Sequence, residues 1–137
     1  MDIILGSINK KREYIVNDNN YVQMLNYFSQ NPEGVEGSTV RIRGFSVKDT
    51  QYITDGYFAL GKYIISCCVA DAGVFGILVE NMDTVNDNSW YEIEGTLKVI
   101  EDKYKQKTIA IVPTNINSIS SENMYIYENY NFMQFKR

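Results

Sequence analysis

WYEIEGTLKVIE, residues 90–101, alternates with a period of two: Tyr91, Ile93, Gly95, Leu97 and Val99 on one side, Glu92, Glu94, Thr96 and Lys98 on the other. That spacing is the mark of a strand with one face on a core and the other in water. A second stretch, TVRIRGFSV at 39–47, carries a matching phrase, RIRG against EIEG. Here Val40, Ile42 and Gly44 share a face before the apolar parity shifts to Phe45 and Val47. A slip of that kind at a glycine reads as a β-bulge. The outward residues of the two stretches have opposite signs, Arg41 and Arg43 against Glu92 and Glu94. Set side by side and antiparallel, each opposed pair would contribute about 0.2 to 1 kcal/mol and help to fix register.

Three further runs read as strands: GYFALGKYIIS at 56–66, VFGILVE at 74–80 and KTIAIVPTNINSI at 107–119. Turn-rich segments separate them. Five strands with glycine kinks in the first and fourth predict a mainly β protein, a small five-stranded OB-like barrel in which those two strands are neighbours. Ahead of the barrel, EYIVN at 13–17 reads as a short strand. Tyr21, Met24, Leu25 and Phe28 then fall on one face of a helix, with Asp18, Asn19 or Asn20 to cap it and Asn31-Pro32 to end it. This N-terminal helix is expected to cover the core, with one end of the barrel as its place. NMDTVNDNS, between the third and fourth strands, leaves room for one helical turn at most. The expected organisation is one domain over 1–137: a lead-in strand and helix at about 13–32, a barrel at about 38–120 and a tail at 121–137.

Bulk properties narrow the class. With 45% apolar, 22% charged and 13% aromatic residues, most of the last tyrosine, the chain suits an ordinary β-rich core. The net charge of −4 lowers the expectation of nucleic-acid binding, which relies on Lys and Arg to displace phosphate counterions. No run approaches the roughly 18 to 20 apolar residues that span a bilayer. The chain is therefore expected to be soluble, or the soluble piece of something longer.

Both cysteines lie side by side in SCCVADAG, residues 66–73, and there is no histidine. Four readings of Cys67 and Cys68 compete. They are small buried side chains at a strand end; or they bind a thiophilic metal such as zinc together with Asp71. Alternatively they form a strained, easily reduced vicinal disulfide, or one of them is a nucleophile. The last lacks a histidine base. No phosphate-cradling glycine loop or nucleophile elbow is present. Glu92 and Glu94 could pair as catalytic carboxylates, but a solvated strand face explains them without chemistry. The chain reads as a non-enzyme.

KYIISCCVADAGVFGILVE followed by WYEIEGTLKV resembles the C-terminal domain of the YcgQ-like, or DUF1980, family. The resemblance rests on Cys67, Cys68, Ala70, Asp71 and Ala72, then Gly76, Trp90 and Gly95, with VRIRGFSV upstream, and covers about residues 13–120. Lys62 departs from it, since arginine is expected there, and this puts in doubt any role for a planar guanidinium. The resemblance implies a membrane-anchored parent paired with a separate multi-spanning permease, and this domain as its accessory. The metal or contact site would then be Cys67, Cys68 and Asp71. The rival reading is a nucleic-acid-binding OB module, which needs Arg41, Arg43, Lys48 and Lys62 gathered beside exposed Tyr57, Phe58, Tyr63 and Tyr91. An oligosaccharide- or peptide-binding barrel is a third reading, inseparable from the first on sequence.

Overall fold

The computed structural model describes residues 12–48, 56–65, 73–80, 83, 85–102, 104–122 and 124–127. Its elements are β1 (Glu13–Ile15), α1 (Tyr21–Gln30), α2 (Pro32–Val35), β2 (Thr39–Val47), β3 (Tyr57–Ile65), β4 (Gly73–Glu80), β5 (Trp90–Glu101), β6 (Lys107–Ser118) and β7 (Tyr125–Tyr127). Strands β2, β5, β6, β4 and β3 follow one another around a barrel that closes where β3 pairs back onto β2. All neighbours in the ring are antiparallel except β4 and β6. This is the expected OB-like barrel, with a helix ahead of it.

The two phrases that led to this fold meet as expected. Arg41 lies opposite Glu94 and Arg43 opposite Glu92 in the antiparallel β2–β5 pair. The arginine Nε atoms stand 2.7 and 3.0 Å from the carboxylates. On the other face Tyr91, Ile93 and Leu97 are buried beside Val40 and Ile42.

The bulge, in contrast, is not at Gly44. Pairing of β2 with β5 runs unbroken through Gly44, and the register shift falls between Glu94 and Gly95, where Thr114 is the extra residue of β6. The parity change at Gly44–Phe45 has another cause: β2 begins there to pair with β3, at Phe45↔Gly61, so that Phe45 and Ser46 are both buried between two strands. A Cβ on Gly44 would stand 2.7 Å from the Gly61 carbonyl oxygen, so the crossing needs a residue without one.

Helix α1 buries Tyr21, Leu25 and Phe28 in the same core as the barrel residues. Its first turn is not capped by a side chain. Asn20 instead stitches the preceding turn, accepting from the Asn17 amide at 2.7 Å and donating to the Ile15 carbonyl at 3.1 Å. Pro32 does stop α1, and then starts the short α2, where its fixed φ and missing N–H suit a first helical position. Gly37, at φ 88°, turns the chain so that its amide reaches the Leu97 carbonyl at 2.8 Å and starts β2 beside β5.

Candidate functional site

The barrel forks beside β2. Pairing with β1 stops at Ile15↔Arg41, and pairing with β3 starts only at Phe45↔Gly61. Strand β3 forks in turn, leaving β2 at Gly61 and pairing with β7 from Tyr63. Between the branches an open cleft of about 710 Å³ is lined by the β1–α1 turn, the middle of β2, Lys62, Glu92 and Glu122.

Lys62 is the unusual member. It follows Phe58 and Leu60 at a spacing of two, so the strand aims it at the same interior face, and it is 2% exposed. Its ammonium donates to Asp18 Oδ1 at 2.8 Å and lies 3.5 Å from Glu122 Oε1 and 5.6 Å from the centre of the Trp90 ring. A buried ammonium is tolerated only when opposed by negative charge, and two carboxylates with an aromatic face supply it.

The other charges are also paired. Arg43 bridges Glu92 and Glu122, and Arg41 holds Glu94. The hydrogen bond from Arg41, reinforced by its charge, lowers the Glu94 carboxyl below its ordinary value. Both guanidiniums are raised in return, through the hydrogen bonds to Glu94 and Glu92 first. Glu92 and Glu94 therefore act as partners of arginines, not as a catalytic carboxylate pair.

Tyr21, at the start of α1, also lines the cleft and is 1% exposed. Among the described residues its hydroxyl is the one buried side-chain polar atom without a hydrogen-bond partner. Burial, with the nearby Asp18 carboxylate second, raises its pKa and keeps the phenol protonated. The lining of the cleft thus includes a tyrosine whose buried O–H has no partner among the described residues, close to Asp18, the half-exposed carboxylate that holds the Lys62 ammonium.

Cys67, Cys68 and Asp71 lie outside the described residues. No three Cys, Asp or Glu side chains form a metal-binding group among those described. Of the nucleic-acid reading, Arg41, Arg43 and Lys62 do come together in the lining of the cleft, but the aromatics that reading needs do not lie exposed beside them. Phe58 and Tyr91 are buried, Tyr57 donates to Glu80, and Tyr63 stacks on Tyr125. Lys48 donates to the Val85 carbonyl at 2.8 Å, while Arg41, Arg43 and Lys62 are held by carboxylates. Sequence reasoning missed Asp18, Tyr21 and Glu122 as a set. The available signal was Lys62 itself, a charge at an inward strand position.

No helix among the described residues is long and apolar enough to cross a membrane. The chain is 27% identical over 135 residues to UPF0703 protein YcgQ of Bacillus subtilis (strain 168), an alignment that takes in 95% of this chain and 47% of that protein. It therefore spans about half the length of that relative. Among solved structures, mitochondrial single-stranded DNA binding protein Rim1 of S. cerevisiae overlays at 18% identity and a TM-score of 0.34, over 64% of this chain and 99% of that one. Asparaginyl-tRNA synthetase of Pyrococcus horikoshii overlays at 15% and 0.34, over 64% of this chain and 20% of that one. The DUF1980 C-terminal domain profile matches residues 1–128, and the chain belongs to that family.

Proposed function

We propose that this domain is a non-catalytic ligand-binding module, the accessory part of a membrane-anchored subunit that works with a multi-spanning permease. The observation that carries the binding half is the cleft at the β1–β2–β3 fork, with Lys62 and the unpartnered Tyr21 hydroxyl in its lining. Small-molecule sites are concave and use a few convergent polar groups to orient their ligand. The permease half rests on the family resemblance alone. The vicinal thiols at Cys67 and Cys68 are a second point of contact in this reading, for the permease or for a thiophilic metal such as zinc.

Two measurements test it. Amide shifts in NMR should cluster at Tyr21, Ile42 and Lys62 on titration with a panel of small polar molecules of every charge type. Shifts that scatter, or gather elsewhere, overturn the binding half. The full-length parent, co-expressed with its companion permease and purified in detergent, should retain it, and failure to do so overturns the accessory half.

A further inference from the structure

The charge arrangement of the cleft narrows the ligand class, on the premise that the cleft is the binding site. Three cations, Arg41, Arg43 and Lys62, face three carboxylates, Asp18, Glu92 and Glu122, in its lining. Each cation already holds a carboxylate. A lone anion reaching the 2%-exposed Lys62 competes with Asp18 for its buried ammonium and weakens that pair. A lone cation at Asp18 or Glu122 competes with the same ammonium for its carboxylates, and a buried charge tolerates that loss poorly. A molecule with both signs avoids either loss, because its carboxylate takes the place of Asp18 at Lys62 while its ammonium takes up the released Asp18.

Two more features fit that exchange. The Tyr21 hydroxyl, close to Asp18 in the same lining as Lys62 and without a hydrogen-bond partner among the described residues, is a donor that the incoming carboxylate can engage once Asp18 moves. Among the described residues, the β2 edge at Ile42 and Arg43 lines the cleft where β1 pairing has ended and β3 pairing has not begun. An unpaired strand edge is the natural partner of a peptide backbone. We infer that the cleft at the barrel fork takes a zwitterion of the amino-acid or short-peptide class, its carboxylate on Lys62 and Tyr21 and its ammonium on Asp18.

Calorimetry on the full chain tests this with glycine, glycylglycine and triglycine against acetate, methylammonium and uncharged N-acetylglycinamide. The zwitterions should bind saturably, and each singly charged or neutral probe at least about tenfold more weakly, the scale of one charge-assisted hydrogen bond. Tyr21→Phe should weaken glycylglycine binding by about tenfold without lowering the melting temperature of the free protein, because it removes a hydroxyl that nothing satisfies. Acetate binding as tightly as glycylglycine overturns the ligand class while leaving the cleft as the site. Zwitterion binding that is unchanged by Tyr21→Phe overturns the assignment of the carboxylate. No response to any probe here, together with none in the cleft to the wider NMR panel, removes both.

Discussion

Gly61 and Gly76 face each other across the β3–β4 pair, so close that a Cβ on Gly61 would stand 2.4 Å from the Phe75 carbonyl oxygen, and one on Gly76 2.3 Å from that of Leu60. Both obstacles are backbone and cannot swing away. Gly61 is also the residue that Gly44 approaches, so three strands crowd at one point of the wall. Gly76→Ala should therefore behave as overpacking and destabilise by about 1–3 kcal/mol or more in urea titration. An alanine variant as stable as the parent would contradict this crossing.

The Arg41–Glu94 pair makes stability depend on acid in a defined direction. The folded Glu94 carboxyl sits below its ordinary 4.5 because Arg41 donates to it. The pair's contribution is complete above that ordinary value, where the carboxyl is ionised folded or unfolded. It is lost as pH falls through the lowered folded value. Glu94→Gln should accordingly lower stability slightly at neutral pH, since both side chains are substantially exposed, and converge with the parent in acid, so that the acid limb of its stability–pH profile is flatter. An unaltered acid limb would show that the pair does not persist in solution.

Ser46 latches the loop before β5. It is fully buried, its hydroxyl donates to the Asn86 carbonyl and accepts from the Ser89 amide at 3.1 Å, and its backbone pairs with Ser89 and Asn88 at 2.8 Å each. Ser46→Ala removes two hydrogen bonds to the loop, whose Asn86 is exposed and Ser89 half-buried, so water can replace part of what is lost. The expected cost is about 0.5–1.5 kcal/mol. Hydrogen exchange should quicken locally at Asn88 and Ser89, and exchange that is uniform across the barrel would argue against a local latch.

The barrel was legible because its clearest signals are local or pairwise. The alternation of β5 declares a half-buried strand, and RIRG against EIEG names its neighbour. The cleft was far less so. It joins Asp18, Lys62 and Glu122 through the fork of β2 and β3, and no local pattern encodes that juxtaposition. Glu122 precedes β7, three residues long, whose parallel pairing with β3 has no periodicity to detect. Gly44 shows a related limit: a parity slip signals a departure from regular pairing, but a bulge and a change of partner look alike in one strand. The lysine at 62 was readable, since strand parity aims it inward with Phe58 and Leu60 and implies carboxylates from elsewhere in the chain.

That implication leads to a prediction about the pair Lys62–Asp18 that differs from ordinary surface-pair behaviour. Lys62 is 2% exposed while the Asp18 side chain is 50% exposed. Removing the carboxylate leaves the ammonium in the wall with Glu122 at 3.5 Å and the Trp90 face as compensation. Breaking a fully buried pair costs about 3–5 kcal/mol, and with Asp18 half in water and Glu122 retained, Asp18→Ala should cost about 1–2 kcal/mol. Lys62→Met keeps the volume of the side chain and removes the need for any partner, so it should change stability by no more than about 1 kcal/mol. In the double variant, Asp18→Ala should then become nearly silent, because the charge it served is gone. Urea titration of the four proteins gives the coupling directly. If Asp18→Ala costs the same with methionine at 62 as with lysine, Asp18 stabilises the β1–α1 turn and not the ammonium beneath it.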